Sequence, residues 1–238
     1  MVKGIIKPIA LEELIFGQIV NFQQLPTDLI HIFGEAGSGK TTLALQLAIG
    51  FCDNGKKVVF IDTEGKVTGS KIKNLAPNKD FLRINSLLKL HIPSNFDEQN
   101  SLICSLEHFL KNQELGLLII DTITNLYRQE VNYGKNKKSN YEKLAFQVAL
   151  LRKISSDCKF PVILFNQATM YKADETDIIA NLRREKVNPV ARAIMTYWTD
   201  REIILVSHGW GNYEARVPSE FKGRVKFRID TKGIVPVE

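Results

Sequence analysis

Apolar residues along the chain fall into short β-rich runs that alternate with stretches of helical periodicity. Residues 29–33 form the first run and 41–53 the first helical pattern, and 57–62 with 69–76 repeat the pair. The alternation continues through a run at 81–84, a helix over about 97–112, a run at 116–120, a helix over about 141–157 and a run at 160–165. Strands that are apolar throughout, rather than at every second residue, belong to a sheet covered on both faces. The pattern therefore predicts an α/β fold with a mostly parallel, twisted sheet flanked by helices. Beyond Pro189 a short helix precedes runs at 202–207, 213–217 and 224–229, too closely spaced for helical crossovers, so these should extend the sheet as antiparallel C-terminal strands. Two polar stretches, 127–140 and 170–188, fit no element and read as long loops, which in a compact domain point to function.

With no fixed-period repeat and no Pro-, Ser- or Gly-rich linker, the chain reads as one domain over 29–238 behind a lead segment, 1–28. Its 238 residues, 44% apolar and 24% charged, suffice for one sizeable core and exclude disordered, collagenous and disulfide-scaffold classes. Against 26 acidic residues, 32 Lys and Arg leave a charge of +6, which permits a nucleic-acid partner without requiring one. No apolar run approaches the roughly 20 residues that span a bilayer, and the start of the chain lacks a signal-peptide pattern, so a cytoplasmic location with no membrane partner is expected. Cys52, Cys104 and Cys158 are odd in number and far apart, as expected of reduced, buried thiols. The histidines, His31, His91, His108 and His208, show no metal-ligand spacing. His208-Gly209-Trp210-Gly211-Asn212 reads as a hairpin connection with an exposed or edge Trp, for which turn packing is the expected role and DNA or partner contact the alternative.

Gly34-Glu35-Ala36-Gly37-Ser38-Gly39-Lys40-Thr41 satisfies G-x-x-x-x-G-K-[ST] between an apolar run and a helix. Glycines let successive backbone N–H groups converge on phosphate oxygens at a helix start, Lys40 reaches the β and γ phosphates, and the Thr41 hydroxyl ligates Mg²⁺, with Thr42 following as a further nucleotide contact. Asp121 closes the run 117–120 and should orient Mg²⁺ or its water. Glu64, at the exit of Phe60-Ile61-Asp62-Thr63-Glu64, is the candidate general base, since hydrolysis of ATP needs a carboxylate within one water of the γ-phosphate. A metal Asp several runs beyond the loop, with a strand-end Glu, fits an ATPase sheet in which the metal strand is inserted beyond the loop strand's neighbour.

Together with Ile61-Asp62-Thr63-Glu64-Gly65, Leu126-Tyr127-Arg128 and Phe165-Asn166-Gln167, this motif resembles the RecA/Rad51/RadA recombinases in order and spacing over roughly residues 29–234. Size, and the lack of a separate N-terminal helical DNA-binding domain, make the family's archaeal paralogues the nearest likeness. The resemblance implies a RecA-like P-loop ATPase core that uses ATP and Mg²⁺, binds DNA and supports homologous recombination. Glu64 matches the family's catalytic glutamate, and Gln167 its γ-phosphate-sensing glutamine, which links nucleotide state to the 170–188 loop. Lys71 stands where an arginine commonly stacks on adenine; lysine stacks less well, so weak base recognition is expected. No cation that would enter a neighbour's active site is identifiable. Phe146-Gln147-Val148-Ala149 spells the family's F-x-x-A subunit-linking motif but lies within a predicted helix, and core packing is its expected role.

In the first long loop Arg128, Lys135, Lys137 and Lys138 face only Glu130 and are interleaved with Tyr127, Tyr133 and Tyr141, a composition that suits single-stranded DNA. In the second, cations and anions balance, and only Arg183-Arg184 should attract phosphate. The leading expectation is a slowly hydrolysing, ATP-binding recombinase paralogue that assists a main recombinase, or another recombination protein, on single-stranded DNA; homo-oligomerisation is left open. The alternatives are a regulatory ATP-binding module of the clock-protein type, acting through protein partners without DNA, and a small-molecule kinase.

Overall fold

The computed structural model describes residues 28–110, 114–132, 134, 136–170, 187–217, 224–231 and 233–237. Among the described residues ten strands form one sheet: β1 (Leu29–Gly34), β2 (Lys57–Asp62), β3 (Leu88–His91), β4 (Leu115–Asp121), β5 (Val162–Met170), β6 (Val187–Pro189), β7 (Arg201–Ser207), β8 (Asn212–Arg216), β9 (Arg224–Asp230) and β10 (Gly233–Pro236). The described helices are α1 (Lys40–Asp53), α2 (Gly69–Leu75), α3 (Phe81–Leu87), α4 (Phe96–Leu110), α5 (Asn125–Asn132), α6 (Lys137–Cys158) and α7 (Arg192–Trp198). None of them is long and apolar enough to cross a membrane.

Strand order is β10-β9-β8-β7-β1-β5-β4-β2-β3, with β6 paired to β5 off this path. The six central strands from β7 to β3 run parallel, whereas β8, β9 and β10 add on antiparallel. In β4, Leu117 and Ile119 face one way and Leu118 and Ile120 the other, and all four are fully buried. Burial on both faces is why the run shows no polar alternation. On one face α1 packs Leu43, Leu47 and Phe51 against Phe60, Phe165 and Leu205; on the other α4, α6 and α7 cover Ile61, Leu118 and Leu164. Parallel pairing aligns the carboxyl ends of the central strands along one edge. Gly34 pairs with Gln167 there, and Asp62 with Asp121.

Several expectations are corrected. Residues 81–84 are helical: the Asp80 carboxylate accepts from the amides of Leu82 and Arg83, capping α3, of which only Ile84 is buried. The strand there is β3 instead. Most of 127–140 is helix as well, because Leu126 and Tyr127 anchor α5 in the core, with the Tyr127 ring edge-on to Phe96 at 5.7 Å. Among the C-terminal strands β7 is parallel to β1, with α7 serving as its crossover, and antiparallel pairing starts only at β8. Strands β6 and β10 had no signal in the pattern. At the junction between lead and domain, the Asp28 carbonyl accepts from the Val162 amide at 3.1 Å and its carboxylate pairs with Arg201 at 2.7 Å. Residues 1–27 lie outside the described residues.

Phe146 and Cys104, expected inside, are outside. Phe146 is 57% exposed because α6 buries Leu144, Gln147, Val148 and Leu151, a stripe that position 146 misses. Cys104 misses the buried stripe of α4 in the same way and is exposed. Trp210 sits in the predicted hairpin connection and is exposed there as expected, but with Gly209, Trp210 and Gly211 all at positive φ its ring stands fully in solvent rather than packing on the turn.

Removing the α3 cap with Asp80→Ala should cost about 1 kcal/mol of stability, read as a lower urea midpoint with an unchanged m-value.

Candidate functional site

At the end of β1 the chain turns through 34–39 into α1. Gly37 and Gly39 adopt φ of 77° and 91°, where a side chain would be strained, and a Cβ on Gly34 would stand 2.3 Å from the Leu205 carbonyl oxygen. Glycine is therefore required both for the turn and for the close approach of β1 to β7. The first-turn amides of α1, together with its dipole, make this loop an anion cradle. It borders a cleft of about 400 Å³ lined by Ala36, Gly37, Gly39, Lys40, Thr41 and Thr42, with Glu64, Lys66, Asp121 and Gln167 facing them and Tyr213 and Ile229 supplying apolar surface.

Lys40 is buried and donates from Nζ to the carbonyl oxygens of Gly34 at 2.9 Å and Glu35 at 2.6 Å, and to Ser38 Oγ at 3.4 Å. Burial lowers its pKa to about 8, although the Asp121 and Glu64 carboxylates pull the other way. Asp121 shows the converse. Its carboxyl is pushed up to about 6 by burial, opposed by a hydrogen bond from Thr41 and reinforced by repulsion from Glu64 and Asp62. One of its oxygens, Oδ1, has no hydrogen-bond partner among the described residues. A buried carboxylate with an unpartnered oxygen, bonded through the other side of the group to a threonine hydroxyl, is a donor set suited to a hard divalent cation.

The positions of these carboxylates are locked by side chains without motif status. Thr63 Oγ1 donates to the Thr122 carbonyl at 2.8 Å and accepts from the Thr122 amide at 3.0 Å, and Asn125 Nδ2 donates to the Thr63 carbonyl at 2.7 Å. The exits of β2 and β4 are thereby cross-linked. Asp62, the other carboxylate of that strand end, is fully buried and structural: it accepts from the amides of Glu64 at 3.1 Å and Val67 at 2.7 Å. Glu64 reaches the cleft, where it forms an ion pair with Lys66.

Gln167 leaves β5 into the same cleft and accepts a hydrogen bond from Arg128 Nη1 of α5. Its neighbour Asn166 accepts from Thr124 Oγ1 at 2.5 Å and donates to the Val190 carbonyl at 2.8 Å and to His31 Nε2 at 3.2 Å. His31 in turn contacts Glu202 through Nδ1, and burial keeps its pKa below the ordinary histidine value.

Of the sequence-predicted residues, Ala36, Gly37, Gly39, Lys40, Thr41, Thr42, Glu64, Asp121 and Gln167 line this cleft, whereas Gly34, Glu35 and Ser38 lie behind it and accept from Lys40. Lys71 is elsewhere: it lies in the first turn of α2, outside the lining, with Nζ donating to the Lys66 carbonyl at 2.7 Å. Arg128 is engaged with Gln167 rather than standing free in a loop. Lys137 and Lys138 are exposed in the first turn of α6, and Lys138 makes a long contact of 3.9 Å with Glu142. Lys135, Arg183 and Arg184 lie outside the described residues. Sequence reasoning missed Lys66, Thr63, Asn125, Tyr213 and Ile229. The first three follow the β2 and β4 runs closely and could have been found by asking what fills a strand exit; the last two had no signal, since they reach the cleft only through sheet pairing.

The Rad51 family profile matches residues 11–233. The protein is 33% identical over 170 residues to the DNA repair and recombination protein RadB of Methanobrevibacter smithii, covering 71% of this chain and 68% of that one. It is 28% identical over 186 residues to RadB of Methanococcoides burtonii, with 78% and 77% covered. A crystal structure of a RadB recombinase superposes with a TM-score of 0.67 at 29% identity, covering 90% of this chain and 92% of that one.

Because the folded state holds the Asp121 proton more tightly than the unfolded chain, stability should fall as pH rises from about 4 to 6, and the cost, about 2–3 kcal/mol, is fully present above that window. Asp121→Asn should therefore unfold at higher urea than the parent at pH 8, with the gain shrinking as the pH is lowered toward 4.

Proposed function

The chain belongs to the Rad51 family, and from that membership and the chemistry of its phosphate cleft we propose that it is an ATP-binding recombinase paralogue that hydrolyses ATP slowly and binds single-stranded DNA in recombination and repair. The observation that carries this reading is the convergence of the 34–41 loop, the buried Lys40, the Thr41–Asp121 pair and Glu64 on one cleft. The backbone amides and Lys40 hold the β and γ phosphates. Thr41 and Asp121 would hold Mg²⁺, which when bound offsets phosphate charge. Glu64 takes the proton of the attacking water, and the tie between Thr63 and Thr122 fixes the strand exits from which Glu64 and Asp121 extend. Gln167 lies within reach of the same phosphates, and its bond to Arg128 carries a change there into α5.

Tyr213, stacked on Phe227 with ring centroids 5.3 Å apart, and Ile229 offer the base an apolar surface. Lys71 would have to leave the Lys66 carbonyl to reach it, in keeping with weak base recognition. Lys137 and Lys138, with Lys135, Arg183 and Arg184, are the proposed DNA contacts, and a main recombinase or another recombination protein is the proposed protein partner in the cytoplasm. The kinase alternative is disfavoured by strand order, since β5 stands between the loop strand β1 and the metal strand β4. The relatives' names place them in DNA repair, which counts against a module that works without DNA.

Lys40→Ala should abolish ATP binding in a fluorescence titration. Glu64→Gln should bind ATP as the parent does and lose phosphate release, and retained hydrolysis in this variant would remove Glu64 as the base. Replacing Lys135, Lys137 and Lys138 together by Ala should reduce the salt slope of single-stranded DNA binding by about 2, at about 0.7 per phosphate contact; an unchanged slope places the DNA elsewhere.

A further inference from the structure

Resting on the reading of the cleft as a nucleoside triphosphate site, we infer that Lys66 is a second phosphate-binding cation, which holds Glu64 in the absence of a triphosphate and transfers to the γ-phosphate when one binds. The turn that carries it is a built feature. Gly65 at φ 64° reverses the chain after Glu64, Asp62 clamps the turn by accepting from the amides of Glu64 and Val67, and the Val67 side chain is buried in the core. Lys71 Nζ fixes the far side of the turn by bonding the Lys66 carbonyl. With its backbone held at three points, the Lys66 side chain projects over the cleft, lines it, and pairs with Glu64 Oε2.

Charge explains why that pairing gives way. Around the cleft Lys40 and Lys66 face Glu64 and Asp121, with the Asp62 carboxylate just behind. Lys66 is 60% exposed, and a solvated pair of this kind is weak. A triphosphate presents several oxygens and a larger negative charge to the same ammonium, so it competes successfully for Lys66. The transfer has two consequences. It adds a contact available to a triphosphate and denied to a diphosphate, and it releases the Glu64 carboxylate to accept a proton only when the γ-phosphate is present.

The test is equilibrium binding of Mg²⁺ with the β,γ-imido analogue of ATP, and separately with ADP, to the full chain. Lys66→Ala should weaken the triphosphate analogue about tenfold, the size expected of one charge-assisted contact, and move ADP less than about twofold. Lys66→Arg should restore most of the loss. The preferential loss should persist in the Glu64→Gln background; if it vanishes there, Lys66 acts only by neutralising Glu64 and the inference is overturned. Equal loss for both nucleotides, or no loss for either, overturns it too. Lys40→Ala separates this from the parent reading: undiminished binding of both nucleotides by that variant refutes the cleft itself, whereas its loss of both beside an unaffected Lys66→Ala refutes only the role of Lys66. Unfolding curves for each variant confirm that the compared proteins are folded.

Discussion

Two opposite charges, Lys40 and Asp121, are held almost dry at the carboxyl edge of a parallel sheet, and much of the surrounding architecture makes sense as the means of keeping them there. Each is displaced toward neutrality by burial, the lysine to about 8 and the aspartate to about 6. Neither is compensated by a direct ion pair with the other: Lys40 is spent on loop carbonyls, and Asp121 on a threonine hydroxyl. A site so arranged is destabilising to the bare fold and favourable to a ligand that brings both phosphate charge and a cation, which is the usual relation between perturbed groups and binding sites.

Holding that arrangement takes rigidity from both faces of the sheet. Beneath the loop, α1 is buried along ten of its fourteen residues, so its first turn cannot drift relative to β1. Between β2 and β4 the mutual bonds of Thr63 and Thr122 act as a clasp, with Asn125 extending it to the start of α5. None of these groups does chemistry in the proposed reaction. They hold the exits of β2 and β4, from which Glu64 and Asp121 extend, in fixed register, and positioned catalysis tolerates little error in such a frame.

The same edge links the cleft to more distant parts of the molecule. Gln167 meets Arg128 on α5, while Asn166, one residue earlier and on the opposite face of β5, joins Thr124, His31 and the Val190 carbonyl. A displacement at the end of β5 would thus be felt both at α5, just before the basic start of α6, and at the turn into α7. In this setting Arg128 is better understood as a connector than as a free contact for nucleic acid.

The parallel α/β class, the phosphate-loop pattern and the candidacy of Lys40, Thr41, Asp121 and Glu64 for one cleft were legible in the chain alone, because those features are local: a glycine pattern, a strand apolar on both sides, a carboxylate at a strand end. Local pattern misled where a short amphipathic helix resembles a strand or a loop, as at Asp80-capped α3 and at α5, whose apolar anchors Leu126 and Tyr127 occupy barely one turn. Tertiary structure alone decided which strands are neighbours, and with them the company each group keeps. Tyr213 and Ile229 reach the cleft from strands far along the chain, Lys71 turns to the Lys66 carbonyl instead of the cleft, and Phe146 and Cys104 fall off the buried stripes of their helices. Those outcomes depend on contacts between residues distant in the chain, and periodicity within one segment carries no information about what that segment will meet.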